Sequence, residues 1–383
     1  MTPARVAHPA PTLDLDAVIR DPDTRIVVCC GAGGVGKTTT AAALALAAAE
    51  AGRRTVVLTI DPARRLAQSM GLTELDNTPR QVKGVNAVNG GELHAMMLDM
   101  KRTFDEVVLT HTAPDRAEEI FANPFYQAMS SSFSGTQEYM AMEKLGQLRA
   151  TDEWDLIVVD TPPSRSALDF LDAPQRLSRF LDGRVLRLLT APAKTGGRGV
   201  LKLVSTSFAF FNRIITKILG AQLLSDVSGF VAALDSMFGG FRERAQQTYE
   251  LLKTPGTAFV VVAAPEPDAV REASYFAERL AEEDMPLVGL VLNRVHRTGA
   301  PTLSAEQSLA GAQRLEVEDA SPVTAGVLRM HADLVQLAAR ERRVASRFTS
   351  AHPKVAVAEV PAEPEDVHDL DGLRRVGAAF AAP

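Results

Sequence analysis

The stretch Gly31-Ala32-Gly33-Gly34-Val35-Gly36-Lys37-Thr38 decides the fold. A glycine, four residues and then Gly-Lys-Thr is the spacing of a phosphate-binding loop. Ahead of it, Arg25 leads into Ile26-Val27-Val28-Cys29-Cys30, a continuous apolar run expected of a parallel strand buried on both faces. Behind it, Thr38 to Glu50 is rich in Ala and Leu and predicts a helix. The glycines allow backbone N–H groups to wrap a triphosphate, and the helix N-terminus adds the positive end of its dipole. Lys37 is then expected to reach the β- and γ-phosphates, and the Thr38 hydroxyl to ligate Mg²⁺. Gly33, Gly34, Val35, Gly36 and Thr39 complete the candidate ATP-binding set.

Composition narrows the rest. The chain has 383 residues, 46% of them hydrophobic, enough for one large α/β domain with an insertion. A formal net charge of −6 argues against general nucleic-acid binding, which needs a basic surface. Met1 to Asp23 carries Pro, Ala and Asp without an apolar core of the signal-peptide kind, and reads as a mobile leader. No apolar run is long enough to span a bilayer. The only cysteines are the adjacent Cys29 and Cys30 on the first strand. These features point to a cytoplasmic protein.

Further strand signals alternate with helical stretches, the pattern of a mainly parallel sheet with helices on both faces. They are Arg54–Ile60, Glu92–Leu98, Leu156–Val159, Ala258–Ala264, Leu287–Asn293 and Lys354–Val360. Helical patterns include Gln137–Leu148, Ala269–Glu283 and Arg329–Arg343. A long helical stretch at about 168–252 carries two apolar stripes at helical spacing, Val200 to Ile218 and Val227 to Phe241, and predicts a helical subdomain inserted in a domain covering 24–383. Arg198, Lys202, Arg213 and Lys217 give its first helix a basic face, read as solvated surface ahead of a client or membrane contact.

Two aspartates end strands downstream of the loop. Asp61-Pro62-Ala63 follows the second strand, where a carboxylate faces the γ-phosphate and orients the attacking water. Asp160-Thr161-Pro162-Pro163 follows the apolar run Leu156 to Val159, the Walker-B pattern, so that Asp160 holds Mg²⁺ through water. Ligand sites in such sheets lie at the carboxyl ends of the strands, where Lys37, Asp61 and Asp160 all fall.

With these residues in place the chain resembles the family of arsenite-pump and tail-anchored-protein-targeting ATPases, P-loop NTPases of the α/β class. The resemblance runs through Gly33 to Thr39, Asp61-Pro62-Ala63, Gly135-Thr136-Gln137-Glu138, Asp160 to Pro163, the helical insertion, Leu292-Asn293-Arg294 and the closing Val360-Pro361. It implies an ATPase that meets its partner face to face across the nucleotides. It also implies that Asn293 hydrogen-bonds the adenine, and that backbone near Pro361 lines the adenine pocket.

The departures carry information too. The lysine that in this family reaches the partner subunit's nucleotide is replaced by Ala32. Arg64-Arg65 and Ser164-Arg165-Ser166 replace the family's usual switch residues, so Arg64 or Arg165 is a candidate substitute for the missing cation. The cysteines that relatives use for arsenite or for a bridging zinc are absent, so neither ligand is expected. This altered set is most similar to the actinobacterial anion-transporting-ATPase-like branch. The expected function is a dimeric ATPase switch acting on a partner or client protein, with a membrane-associated partner as one class. The missing lysine points to a heteromer with a lysine-bearing paralogue, the alternatives being self-association or a weakly catalytic subunit supporting that paralogue.

Overall fold

The computed structural model describes residues 10–61, 65–87, 90–123, 126–127, 130, 136–162, 243–318 and 321–381. Backbone contacts divide the chain into two compact units. The first comprises Met1–Met97, Thr151–Leu168 and Leu251–Pro383, and the second Leu98–Ala150 with Asp169–Glu250.

The first unit is built on an eight-stranded sheet in the order β3-β4-β2-β5-β1-β6-β7-β8. Its central strands are β1 (Ile26–Gly31), β2 (Arg54–Thr59), β5 (Leu156–Asp160) and β6 (Thr257–Ala263). Around them lie β4 (Glu92–Met97), β7 (Leu287–Val295), β8 (Val357–Pro361) and the two-residue β3 (Arg80–Gln81). All pairings are parallel except β3 with β4. Every residue of β1, β5 and β6 is buried, which is why those segments read as unbroken apolar runs instead of alternating ones.

Helix α2 (Lys37–Glu50) packs against the middle of this sheet, and the short α3 (Arg65–Ser69) follows β2. Ala41, Ala42, Ala45, Ala48 and Ala49 are all fully buried along it. Small side chains on every face let the helix lie close to the strands while other helices cover its back. The crossover helix α7 (Pro267–Glu282) joins β6 to β7, and the antiparallel helices α8 (Ala305–Val317) and α9 (Pro322–Ala351) lie between β7 and β8. In α8 the N-cap Ser304 and Gln307 exchange both hydrogen bonds of a capping box. The last helix, α10 (Leu370–Gly377), docks Leu373 and Val376 on α2.

The leader expected over 1–23 departs from the structure from Ala10 onward. Thr12 bridges to Val357 at the edge of β8, and the Leu13 amide donates to the Val357 carbonyl at 3.1 Å. Asp14 then caps the short α1 (Leu15–Arg20), accepting from the Ala17 amide at 2.9 Å. Leu15 and Ile19, four apart on that helix, are both fully buried. Two buried apolar side chains and a cap outweigh the Pro- and Asp-rich composition that had suggested mobility. Residues 1–9 lie outside the described residues.

The second unit contains α4 (Met100–His111), α5 (Pro114–Ala122), α6 (Thr136–Ala150) and helical residues at 243–250. Asp99 caps α4 by accepting from the Arg102 amide at 2.9 Å. The Arg244 guanidinium closes on buried Glu143 at 3.0 Å. A Cβ at Gly146 would meet the Thr248 hydroxyl at 2.7 Å, so the glycine sets the close approach of those two helical segments. The insertion expected at 168–252 falls mostly outside the described residues; the unit also takes in Leu98–Ala150, which the sequence analysis had left with the sheet.

Candidate functional site

Each loop glycine answers a distinct local demand. At Gly31, with φ +148°, a Cβ would sit 2.1 Å from the Val262 carbonyl oxygen, so only glycine lets β1 leave the sheet beside β6. Gly34 and Gly36 have φ of +77° and +95°, conformations that side-chain-bearing residues rarely adopt. A Cβ at Gly36 would also come within 2.2 Å of Asn293 Nδ2. Gly36 is the N-cap of α2 and offers no side-chain cap, and the first turn of that helix holds no acidic residue. Its leading N–H groups therefore remain available to an anion.

The loop borders a cleft of about 1340 Å³ at the carboxyl ends of the strands. Gly33, Gly34, Gly36, Lys37, Thr38, Thr39, Asp61, Asn293 and Pro361 all line it. Val35 is buried and contributes its carbonyl, which accepts from Asn293 Nδ2 at 2.9 Å. Asp160 lies beneath the cleft and is fully buried. The candidate residues read from sequence are thus brought together. Pro62, Ala63, Arg64 and Arg165 lie outside the described residues.

Charge at the floor of the cleft is short of partners. Asp160 Oδ2 accepts from the Thr38 hydroxyl at 2.8 Å and from the Thr59 hydroxyl at 2.9 Å, whereas Oδ1 is buried without a hydrogen bond among the described residues. Burial pushes the Asp160 carboxyl up to about 6, against the opposing pull of the two threonine hydroxyls and Lys37. Lys37 is itself buried, its ammonium donating to the Ala32 carbonyl at 2.7 Å. Desolvation lowers its pKa, and the nearby Asp160 carboxylate works the other way. A desolvated carboxylate with one unpartnered oxygen, a threonine hydroxyl alongside and a loop of open N–H groups form a hard-oxygen donor set that fits Mg²⁺ together with phosphate.

Sequence reasoning missed Thr59. Its hydroxyl donates to Asp160 and lies 3.3 Å from the Asp61 amide as acceptor, so it ties the two aspartates into one network. The available signal was position: Thr59 is two residues before Asp61 at the end of a buried strand. It also missed the reach of β7 beyond Asn293. Arg294 has φ +63°, and its guanidinium donates to the Gly34 carbonyl at 3.0 Å. The His296 amide and ring both engage buried Glu341 on α9, at 2.9 and 2.6 Å. Cys29 and Cys30 lie under the loop, fully buried, and desolvation raises both thiols, Cys30 to about 12. They are inert core residues.

The model of the anion-transporting ATPase family matches residues 24–302, well over half the chain. The chain is 27% identical over 316 residues to ATPase GET3B of Arabidopsis thaliana, covering 76% of this chain and 69% of that protein. It is 28% identical over 302 residues to ATPase ARSA2 of Chlamydomonas reinhardtii, covering 75% and 72%. With ATPase ASNA1 homolog 1 of Paramecium tetraurelia it shares 26% over 287 residues, covering 73% and 78%. The chain belongs to the anion-transporting ATPase family, the arsenite-pump and tail-anchored-protein-targeting ATPases, and it is an ATPase.

Proposed function

We propose that this family member is a dimeric, MgATP-driven conformational switch of the cytoplasm, coupling the state of its nucleotide to a partner or client protein. The observation that carries the reading is the Oδ1 of buried Asp160, beside Thr38 and Lys37, which has no hydrogen-bond partner among the described residues and so offers a place for a cation. Mg²⁺ held there by Thr38, and by Asp160 through water, would neutralise charge on the transferring phosphate. Lys37 leaves the Ala32 carbonyl to donate to the β- and γ-phosphates. The backbone N–H groups from Gly33 to Thr39 wrap the phosphates. One Asn293 amide hydrogen goes to the Val35 carbonyl, which leaves its oxygen to accept from the adenine and its second N–H to donate, with Pro361 on the pocket wall. Asp61 orients the attacking water. The helices at about 168–252 carry the change to the partner.

Ala32 supports an asymmetric assembly. The family's trans lysine serves the partner's nucleotide, so a homodimer of this chain completes neither site, and a heterodimer with a lysine-bearing paralogue completes the site formed by this chain's loop. A cation donated in trans to phosphoryl transfer is worth on the order of 10³–10⁵ in rate where arginine fingers act. The alternative, a weakly catalytic subunit that supports its paralogue, rests on the same alanine.

The decisive experiment is single-turnover ATP hydrolysis beside nucleotide binding. Asp61→Asn is expected to keep MgATP affinity and to slow turnover by about a hundredfold or more. Turnover at the wild-type rate in that variant removes Asp61 from the chemistry. Ala32→Lys is expected to speed the homodimer; no gain, together with rapid turnover by the wild-type chain alone, overturns the heteromer and leaves the ATPase reading intact.

A further inference from the structure

Behind the nucleotide cleft, and sharing Arg294 and His296 with it, lies a second pocket of about 620 Å³. Its floor is the turn Ala264-Pro265-Glu266-Pro267 between β6 and α7, and its wall is the C-terminal half of α9. Arg340, Arg343 and Arg347 all line it, together with Leu337 and Val344. The spacing of 340, 343 and 347 is that of one helix face, so the three guanidiniums follow one another along roughly 10 Å of that face.

The charge balance of this pocket is strongly positive. Arg20, Arg54, Arg80, Arg279, Arg329 and Arg374 each close on a carboxylate. Arg294, Arg340, Arg343 and Arg347 have no ion pair among the described residues; Arg294 and Arg343 donate only to backbone carbonyls. Of the two carboxylates that line the pocket, Glu341 is buried and committed to the amide and ring of His296. Glu266 at the rim is the other. Four arginines therefore face one uncommitted carboxylate in a chain whose formal net charge is −6.

The floor adds a second source of positive potential. The 16-residue helix α7 starts at Pro267, has no side-chain cap at Glu266, and opens its first turn at this pocket; the Asp268 carboxylate in that turn is paired with Arg271 at 2.9 Å. Pro267 has no N–H to offer, so the leading donors are those of the residues after it. A concave site that combines planar guanidinium forks with a helix N-terminus matches the geometry and charge of tetrahedral oxyanions.

We propose that this pocket is a second anion site, separate from the phosphate-binding loop, which takes a ligand bearing a phosphate-class oxyanion. Arg340, Arg343 and Arg347 supply the charge-assisted hydrogen bonds, and Arg294 stands between this ligand and the nucleotide. The site uses no cysteine.

The test is calorimetric titration of pyrophosphate into the full chain carrying Lys37→Ala, which strongly weakens the competing loop. One binding site is expected. Adding Arg340→Gln, Arg343→Gln and Arg347→Gln should weaken it roughly tenfold or more, while lysine at the same three positions should retain much of the affinity. The three residues are exposed, so the melting temperature should stay unchanged in both variants. No pyrophosphate binding in the Lys37→Ala chain, or equal binding in the glutamine variant, overturns the proposal. Flotation with phosphatidylglycerol vesicles separates the sources. Vesicle binding that the glutamine variant loses assigns a lipid headgroup, and pyrophosphate binding without vesicle binding assigns a soluble anion.

Discussion

The two ends of the same parallel strands both bury charge, and they treat it in opposite ways. At the amino ends, Arg53 is buried just ahead of β2, and its two terminal nitrogens donate to the carbonyls of Ile19, Asp21, Thr24 and Asp155. Those acceptors come from α1, the turn that follows it and the approach to β5, so one guanidinium ties three separate stretches of chain together. At the carboxyl ends, Asp160 has one oxygen without a partner among the described residues, and Lys37 is folded back on the carbonyl of Ala32. The saturated charge holds the fold, and the under-satisfied one lies at the cleft we assign to MgATP. A buried charge without its full set of hydrogen bonds costs stability, and such costs cluster at functional sites.

This contrast is open to direct attack, beginning where the effect is largest. Arg53→Met removes one cation and orphans several buried carbonyls, so it should destabilise the nucleotide-free protein by about 3–5 kcal/mol. Chemical denaturation reads this; a loss under about 1 kcal/mol would mean that water replaces the guanidinium without penalty, and the contrast would fail.

Next is Asp160→Asn, for which the sign reverses. The carboxyl titrates at about 6 in the folded chain against 3.8 for the ordinary group. Its ionisation therefore costs the native state stability, fully above pH 6, and the cost disappears as pH falls toward 3.8. A shift of that size corresponds to about 3 kcal/mol. The asparagine variant should be the more stable protein at pH 8 without nucleotide, should lose that advantage near pH 4, and should gain little from added MgATP. Thermal melting at the two pH values checks all three. A less stable variant at pH 8 would place Asp160 with Arg53 among the structural charges.

The smallest effect sharpens the contrast without threatening it. Asn293→Ala deletes one hydrogen bond to the Val35 carbonyl and should cost about 1 kcal/mol of stability. If its oxygen also meets adenine, ATP affinity should fall by roughly fivefold to tenfold, with GTP affinity unchanged. Equal losses for both nucleotides would reduce Asn293 to a support for the loop.

Much of the carboxyl end was legible from sequence because its signals are local. A glycine pattern, a Lys-Thr pair and an aspartate closing an apolar strand each follow from chemistry within a few residues. The seven strands read from apolar runs all appear, with ends shifted by up to three residues at β8, where the turn from His352 to Val355 delays pairing. The edge strand β3 went unread because two residues, Arg80 and Gln81, carry no periodicity. Helix α9 runs well beyond the expected Arg329–Arg343, because Pro322 at its first turn and the exposed Val323, Val327 and Met330 hide its amphipathic pattern. The amino end was illegible for a different reason. Arg53 satisfies its charge with backbone carbonyls up to 102 residues away, and backbone carbonyls leave no mark in a sequence.

The pairing of Thr12 and Leu13 with Val357 recurs one step further along, where the amide of Leu15 donates to the carbonyl of Phe380 at 3.0 Å. The order of synthesis gives this contact its meaning. Leu15 cannot complete this contact until a residue 365 positions later in the chain exists. Until Phe380 has been made, the amides of Leu15 and Asp16 at the start of α1 lack their acceptor. The segment around Phe380 therefore acts as a latch on the segment around Leu15.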